Sequence, residues 1–326
     1  MGPAEKSARS IRRVLVIFPG ALGDLMCLIP ALAAIARRHH GASIELMARF
    51  ELARLVAERT VVARAHSIDA REVGALFSDE TSVDPNARRF FAEFDRIYSF
   101  FASDDPRFRA RLVAATEAEV SFHPFRPSGD GHLSAAYLRA IDEAASARDT
   151  SLEPTPDDLG AAAQALAQAK CGSSNLIVIF PGSGSTAKNW PEDKFVALVE
   201  SGILRCALND KGASCVVVLG PAEVSMEPIF RESGVAVLMH LDLPTVAAIA
   251  RLAAAFLGND SGVSHLAAAV GASGVVIFGP TDPARWRPLG PAGDAQIRIL
   301  RREPVDSIET REVADALLKF VEQRQR

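Results

Sequence analysis

Three short polar segments follow apolar runs of the chain, and each contains residue types that can bind or transfer chemical groups. The first is residues 20–24, GALGD, in which Gly20 and Gly23 permit a sharp turn and Asp24 opens a helical pattern. A helix N-terminus favours the ionised carboxylate, and an ionised carboxylate can accept a proton. An aspartate here also suits an N-cap, worth about 1 kcal/mol. The residues alone leave both roles open.

The second segment is residues 181–191, PGSGSTAKNWP, which offers hydroxyl and backbone donors together with the charge of Lys188. Such a loop suits a phosphate group, with Ser183 among its donors. It lacks the Gly-Lys-[Ser/Thr] ending of a Walker loop and is not a nucleophile elbow. The alternative is an ordinary strand-to-helix loop with a solvated Lys188.

The third segment is residues 258–265, GNDSGVSH, between an apolar run and an alanine-rich helical pattern. Asp260 or Ser261 can cap that helix, and the free amides from Gly262 onward can bind an anion. A strand-to-helix junction is the wrong context for a nucleophilic serine. His265 lies in the first turns, either at the anion site or bonded to the backbone.

A fourth candidate is Glu223, which follows the apolar run VVVL. A carboxylate at this position can bind ribose hydroxyls, whereas the alternative is a solvated side chain. The seven histidines are scattered and show no spacing typical of a metal site, so we predict no bound metal.

The elements that position these segments can be predicted from the apolar runs. The string VIFPG occurs at residues 16–20 and again at 178–182, about half of the 326 residues apart, and each copy ends an apolar run. Unbroken apolar runs are typical of strands buried in a parallel sheet. We therefore predict a strand, a loop and a helix at the start of each half, as in doubly wound α/β domains.

The remaining pattern predicts strands alternating with helices, and an interdomain linker over 151–172. The predicted strands are 14–18, 43–48, 96–100, 176–180, 215–219, 235–239, 254–257 and 274–278. The predicted helices are 30–40, 108–120, 131–147, 191–208, 245–252, 262–270 and 307–323.

Composition narrows the class of protein. A chain of 326 residues with 48% hydrophobic content can bury two cores, and its net charge of −4 argues against a nucleic-acid partner. Four cysteines without a C-x-x-C pair indicate reduced thiols in a cytoplasmic protein.

Residues 14–36 carry one charge, Asp24, but breaks at Pro19 and Pro30 favour a buried strand, loop and helix over a signal peptide or membrane span. Few Trp and Tyr residues are available to anchor an interface, so we predict a monomer.

Taken together, four segments resemble glycosyltransferase family 9, the bacterial ADP-heptose:lipopolysaccharide heptosyltransferases. They are VLVIFPGALGDLMCLIPALAAIARR, IVIFPGSGSTAKNWPEDKFVALVE, VVVLGPAE and FLGNDSGVSHLAAAVGASGVVIFGPTDPARW. The resemblance implies an α/β protein of the GT-B fold, with two Rossmann-like doubly wound parallel-sheet domains facing a cleft. Residues 1–165 would bind the acceptor and residues 166–326 the nucleotide-sugar donor. The final helix, 307–323, is free in this scheme to pack back on the amino-terminal domain.

The resemblance also assigns a role to each candidate residue. Asp24 becomes the general base, within an acceptor-side loop that contains Gly20 and Gly23. The remaining candidates become donor-binding residues that hold the phosphates, the sugar or the nucleoside. These are Ser183, Lys188, Glu223, Asp260, Ser261, Gly262 and His265.

The implied reaction is inverting and metal-independent, needs no cofactor, and moves heptose or a related sugar from an ADP-linked donor to a lipopolysaccharide-core saccharide. A lipid-linked acceptor would require peripheral contact with the inner membrane, through basic residues at 6, 9, 12 and 13. Two alternatives stay open: a nucleotide-sugar epimerase or hydrolase, and a non-catalytic nucleotide-sugar-binding protein. Phe18, Cys27 and Gly184 depart from residues common in the family.

Overall fold

The computed structural model describes residues 11–78, 82–144, 149–172, 175–201 and 214–324. The chain divides into two compact units. The first comprises Met1–Gly20 and Ala31–Pro127, and the second comprises Ala21–Pro30 and Ser128–Arg326. Each unit contains one parallel sheet. Residues 128–165 therefore group with the second unit, while the predicted division into acceptor and donor domains at 165/166 stays a prediction.

The sheet of the first unit has five parallel strands in the order β3-β2-β1-β4-β5. The direction of strand addition reverses between β1 and β4, which lie side by side. The strands are β1 (Arg13–Ile17), β2 (Ser43–Ala48), β3 (Val62–Ser67), β4 (Arg96–Ser99) and β5 (Glu119–Phe122).

The sheet of the second unit has six parallel strands in the order β11-β10-β9-β6-β7-β8. Here the order reverses between β6 and β9, whose residues Val178 and Phe256 are partners. The strands are β6 (Leu176–Phe180), β7 (Ser214–Leu219), β8 (Ala236–Met239), β9 (Ala255–Asn259), β10 (Gly274–Phe278) and β11 (Ile297–Arg301).

Helices connect these strands, as parallel pairing requires. Within the described ranges, no helix is both long enough and apolar enough to cross a bilayer. The helices are α1 (Leu22–Arg38), α2 (Phe50–Val56), α3 (Arg71–Gly74), α4 (Pro85–Phe91), α5 (Pro106–Ala115), α6 (Leu133–Ala140), α7 (Pro156–Gln168), α8 (Glu192–Glu200), α9 (Glu227–Glu232), α10 (Leu243–Leu252), α11 (Gly262–Ala269), α12 (Pro283–Trp286) and α13 (Thr310–Arg324).

The strands predicted from apolar runs are confirmed to within two residues at each end. The strands β3, β5 and β11 were missed. All three lie at a sheet edge, where exposed or partly exposed residues interrupt the apolar pattern. The helix predicted over 108–120 is wrong beyond Ala115, because β5 begins at Glu119. The helices predicted over 131–147 and 191–208 end at Ala140 and Glu200, and their ranges run into 145–148 and 202–213, outside the described residues.

Two segments of the second unit differ from their predicted roles. The proposed linker contains α7, a 13-residue helix whose start is fixed by a capping box between Thr155 and Asp158. The final helix α13 buries Val313, Leu317 and Val321 in the hydrophobic core of the second sheet. The final helix therefore packs on the second sheet, whereas the sequence analysis allowed it to pack back on the amino-terminal domain.

Candidate donor and catalytic site

The candidate site lies where the strand order of the second sheet reverses. Open α/β sheets bind ligands outside the carboxyl ends of their strands at such a point. Residues 181–191 follow β6 and residues 260–261 follow its neighbour β9, so the second and third polar segments meet there.

Asn259, the last residue of β9, joins these two segments. Its Nδ2 donates to the carbonyl of Pro181 at 2.6 Å, and its Oδ1 accepts from the Trp190 amide at 3.0 Å. The side chain is fully buried. Asn259 therefore fixes both ends of the 181–190 loop. Sequence reasoning missed this role, and its only signal was the Gly-Asn-Asp string.

We expect Asn259→Ala to lower the free energy of unfolding of the second unit by at least about 2 kcal/mol. It would leave a buried carbonyl and a buried N–H without their partner, at about 1–3 kcal/mol each. Both tryptophans of the chain, Trp190 and Trp286, belong to the second unit, so urea unfolding followed by tryptophan fluorescence reports on it. Asn86→Ala, at an exposed position of α4, is the control and should change the value by less than about 0.5 kcal/mol. Equal stability of the two variants would contradict the bridging role.

Lys188 and Asp260 form an ion pair at the edge of the site. The Lys188 Nζ lies 2.7 Å from Asp260 Oδ2, with Asp260 buried and Lys188 one-third exposed. The Asp260 amide donates to the carbonyl of Ile277 at 2.9 Å, which anchors this position to the neighbouring strand β10. Asp260 therefore positions Lys188. The Lys188 ammonium has three N–H donors, so it can also donate to a bound anion.

The Ser183 hydroxyl shapes the same loop. It donates to the Ser185 carbonyl at 2.7 Å and accepts from the Ser185 amide at 3.2 Å. These two bonds curl the loop before Lys188. Ser183 thus holds the loop's shape and also lines the pocket described below.

The start of α11 presents backbone amides instead of a side-chain cap. Ser261 occupies the N-cap position, but its side chain makes no capping bond; its Oγ lies 3.2 Å from Ser264 Oγ, which donates to the Asn259 carbonyl at 2.6 Å. The prediction that Asp260 or Ser261 caps this helix is confirmed for the position of Ser261, but its side chain makes no capping bond. Since the first amides of a helix lack intrahelical acceptors, the α11 start can bind an anion.

The start of α1 touches the start of α11 through two glycines. A Cβ atom built on Gly262 would lie 2.9 Å from Leu22 Cβ and 3.1 Å from the Gly23 nitrogen, and one built on Gly23 would lie 3.4 Å from His265 Cδ2. A side chain on Gly262 would therefore require Leu22 or the Gly23 backbone to move, whereas a Cβ atom on Gly23 would make an ordinary van der Waals contact. All of these residues belong to the second unit.

Asp24 lies immediately beyond this contact, with 5% of its surface exposed. Because α1 begins at Leu22, Asp24 is its third residue. The interpretation of Asp24 as an N-cap is thus wrong. The carboxylate remains in the first turn, where the helix dipole favours a negative charge.

His265 is a buried, neutral imidazole. Burial lowers its pKa to about 4; the charges of Asp260 and Asp24 oppose that shift, while His132 and Lys188 reinforce it. Its Nδ1 lies 3.9 Å from Cys27 Sγ. At neutral pH the ring has one N–H donor and one acceptor nitrogen.

A second set of hydrogen bonds involves His132, whose charge acts on His265. The Nε2 of His132 donates to the Arg287 carbonyl at 2.8 Å, and its Nδ1 accepts from the Ser134 amide at 3.1 Å. The Arg285 guanidinium donates to the carbonyls of residues 129 and 131 at 3.0 and 3.2 Å. These bonds tie the loop after β10 to the segment that precedes α6.

A pocket of about 350 Å³ adjoins the two helix starts, a volume in the range of small-molecule sites. Its wall includes Leu219, Leu243 and Val246, which form an apolar surface. The apolar wall was missed from sequence because such residues give the same signal as any core. The candidate residues that line the pocket are Gly23, Ser183, Glu223, Ser261 and Gly262.

Glu223 is folded back over the ends of β6 and β7. Its Oε2 accepts from the Gly220 amide at 3.1 Å. A Cβ atom on Gly182 would lie 2.1 Å from Glu223 Oε1, so a larger residue there would displace the Glu223 side chain. Burial raises the pKa of Glu223, although its backbone hydrogen bonds lower it. The half-buried carboxylate is held by the backbone, unlike the solvated side chain of the alternative interpretation.

The structure thus brings nine of the ten candidate residues together within the second unit. Gly20 is the exception, since it belongs to the first unit. Across the described residues, no group of three His, Cys, Asp or Glu side chains is placed to hold a metal ion.

Comparison with known families decides the class of this site. The sequence model of glycosyltransferase family 9 (heptosyltransferase) matches residues 133–312, more than half of the chain. The chain belongs to glycosyltransferase family 9. This confirms the predicted family.

Among curated proteins, the chain is 29% identical over 121 residues to lipopolysaccharide heptosyltransferase 3 of Escherichia coli. The match covers 35% of this chain and only 34% of that relative.

Solved structures of family 9 members share the fold. The family 9 glycosyltransferase of Veillonella parvula DSM 2008 is 17% identical, with a TM-score of 0.75 over 96% of this chain and 97% of that one. The ADP-heptose lps heptosyltransferase II of E. coli is 19% identical, with a TM-score of 0.72 over 96% and 100%. E. coli heptosyltransferase WaaC, solved with ADP, is 19% identical, with a TM-score of 0.64 over 95% and 99%. The predicted α/β fold class, GT-B, is confirmed.

Proposed function

We propose that the chain is an inverting, metal-independent glycosyltransferase that moves heptose, or a related sugar, from an ADP-linked donor to a hydroxyl of a lipopolysaccharide-core saccharide. The observation that carries the proposal is the contact between Gly23 and Gly262. It supports the proposal because it brings the buried carboxylate of Asp24 close to the first turn of α11, where the free amides and the Lys188–Asp260 pair offer groups that can bind an anion. Such a transfer needs a general base for the acceptor hydroxyl and a binding site that stabilises the diphosphate leaving group.

The donor nucleotide occupies the 350 Å³ pocket in this proposal. The base packs against the apolar wall formed by Leu219, Leu243 and Val246, and Glu223 accepts from the ribose hydroxyls. The diphosphate lies at the start of α11, where the amides and Lys188 donate to its oxygens. The related E. coli heptosyltransferase WaaC was solved with ADP, which supports this choice of nucleotide.

In the proposed reaction, the acceptor hydroxyl attacks the anomeric carbon while Asp24 takes its proton. The new C–O bond forms as the bond between that carbon and the phosphate oxygen breaks, so ADP carries away the electron pair. Direct displacement from the opposite face inverts the anomeric configuration. Lys188 and the α11 amides stabilise the charge on the leaving phosphate, the role that a divalent cation fills in other transferases.

The acceptor side and the cellular setting are also proposals. We assign the acceptor to the amino-terminal domain, 1–165, with Gly20 in its loop, and the donor to 166–326. The protein acts as a monomer in the cytoplasm, and a lipid-linked acceptor brings it to the inner face of the membrane. Light scattering in solution and flotation with anionic vesicles test these two points.

The purified protein should release ADP from ADP-heptose only when a lipopolysaccharide-core acceptor is present. Mass spectrometry should show an acceptor heavier by one heptose, and NMR of the product should show the inverted anomer. EDTA should leave the rate unchanged. Donor consumption without acceptor would instead indicate an epimerase or hydrolase, and donor-induced thermal stabilisation without turnover would indicate a binding protein. A larger thermal shift with UDP-, GDP- or dTDP-sugars would overturn the choice of ADP.

A further inference from the structure

Two neighbouring helices of the first unit, α4 and α5, carry only positive charges. Neither contains Asp, Glu or Lys. Two hydrogen bonds hold the helices side by side: Arg111 donates to the Ser82 carbonyl before α4 at 3.2 Å, and the Thr116 hydroxyl after α5 donates to the carbonyl of Phe91 at 2.8 Å. The arginines that the two helices contain are Arg88, Arg89, Arg107, Arg109 and Arg111.

The outward side of α5 combines this charge with apolar residues. The helix buries Phe108, Leu112 and Ala115, whereas its exposed positions hold only arginine, alanine, proline and valine. More than half of the surface of Val113, 53%, is exposed. Basic and apolar side chains on one accessible surface suit the interfacial layer of an anionic membrane. We define the arginine face as Arg88, Arg89, Arg107, Arg109 and Val113, all of them exposed.

Phe77 adds an aromatic ring beside the first turn of α5. Its ring stacks on that of Phe108 with centroids 5.1 Å apart and meets Phe101 edge-on at 5.7 Å, yet 42% of its surface is exposed. An aromatic side chain that its neighbours already hold in place loses little conformational entropy on binding. Aromatic rings are also enriched at the level of the lipid headgroups.

The charge around the face is complementary to a negative surface. Each helix begins at a capping aspartate, and the Asp84 Oδ1 accepts from the amides of Asn86 and Ala87 at 2.8 and 3.1 Å. Asp104 and Glu117 lie beyond the two ends of α5. The first unit has 18 Lys and Arg against 15 Asp and Glu, a net charge of +3, whereas the second unit has 18 against 25, a net charge of −7. The first unit is therefore the one that an anionic surface attracts.

The basic residues near the amino terminus are less well placed for such a contact. The Arg13 Nε donates to the buried Glu45 at 2.9 Å, and its guanidinium lies 4.7 Å from the centroid of the Phe94 ring. Its charge is therefore compensated within the first unit. Residues 6 and 9 lie outside the described residues.

We propose that the first unit docks on anionic phospholipid through the arginine face, with Val113 and Phe77 entering the interfacial layer. The purpose of this docking rests on the proposed function, because it brings the protein to a lipid-linked acceptor. Helix α5 follows β4 and therefore starts at the carboxyl edge of the first sheet, the edge at which such sheets bind ligands. A helix of this length spans about 15 Å, so docking keeps that edge close to the lipid.

Tryptophan fluorescence of the full-length variant Val113→Trp measures the contact directly. With vesicles of brominated phosphatidylcholine and phosphatidylglycerol, its emission should shift to the blue and be quenched. Val61→Trp is the matched control, because Val61 is 45% exposed and precedes β3, the edge strand opposite to β5. The native Trp190 and Trp286 supply the background signal. Absence of quenching in Val113→Trp, or equal quenching in both variants, would overturn the proposal.

Charge-removal variants test the arginines. Since each arginine near an anionic surface contributes about fivefold to binding, Arg88→Gln combined with Arg89→Gln should weaken flotation with phosphatidylglycerol vesicles about 30-fold. Lys6→Gln, Arg9→Gln and Arg12→Gln together remove three positive charges from the amino terminus and should change binding by less than about threefold. The opposite ranking of the two variants would assign docking to the amino terminus. Wild-type binding should disappear in high salt and with pure phosphatidylcholine.

These measurements need no turnover, so they fail separately from the proposed function. Vesicle docking without sugar transfer to any acceptor would refute the proposed function and leave the docking surface intact. Sugar transfer to a soluble acceptor without vesicle binding would refute the docking surface alone. Binding to heparin without binding to vesicles would indicate a soluble polyanion as the partner and would also overturn the proposal.

Discussion

Asp24→Asn is expected to lower kcat for sugar transfer about 10³-fold while the Kd for ADP stays within about twofold of the wild type. General-base catalysis contributes typically about 10²–10⁴-fold, and an amide cannot take the proton of the acceptor hydroxyl. The donor contacts proposed for the pocket, the α11 amides and Lys188 remain in place. Steady-state kinetics of transfer and calorimetry with ADP measure the two quantities.

The structure supplies a matched control for this substitution. Asp105 is a true N-cap, whose Oδ1 accepts from the amides of Arg107 and Phe108 at 2.8 and 3.1 Å. Asparagine caps helices as well as aspartate does, so Asp105→Asn should leave both activity and stability near wild type. A normal kcat for Asp24→Asn, measured beside this control, would remove Asp24 from the catalytic role.

Lys188→Ala is expected to weaken ADP binding about 10- to 100-fold. A hydrogen bond to a charged group is worth about 1.5–3 kcal/mol, and this ammonium is proposed to donate to the diphosphate. kcat should also fall, because the same contact stabilises the leaving group. The Kd for ADP from calorimetry and kcat from the transfer assay check the two effects.

The variant also leaves Asp260 buried without its lysine partner, and a second variant separates that structural effect from lost binding. Lys188→Ala combined with Asp260→Asn removes the uncompensated charge, so it should recover stability while ADP binding stays weak. Lys194→Ala is the control for loss of a lysine, because Lys194 donates to the Ile308 carbonyl at 3.1 Å instead of to the candidate site. An unchanged Kd for Lys188→Ala, or full recovery in the double variant, would exclude Lys188 from diphosphate binding.

The interior of each sheet could be predicted from the sequence because its strands are buried on both faces. Runs such as LIVIF at residues 176–180 can form little else, and the observed strand has the same bounds. Edge strands carry no such signal. Of the five residues of β11, only Ile297 and Leu300 are buried, and its charged residues resemble those of a loop or helix.

The candidate site was predictable only in part, for a related reason. Asp24, Lys188, Glu223 and Asp260 could be selected because each is a polar residue that follows an apolar run. What the structure adds is pairing between distant positions. The bond from Asn259 to Pro181 and the contact of Cys27 with His265 join residues 78 and 238 positions apart. Spacing along the chain does not encode such pairs.

The glycine contact between α1 and α11 also constrains how this protein can diverge. A methyl group at Gly262 would lie too close to Leu22 Cβ and to the Gly23 nitrogen, so the start of α1 would have to move. Saturation mutagenesis should therefore find Gly262 almost invariant while neighbouring pocket positions such as Val246 tolerate change. New sugar or nucleotide preferences would then arise by exchanging the pocket wall around an unchanged junction, which is where directed evolution of this enzyme should place its libraries.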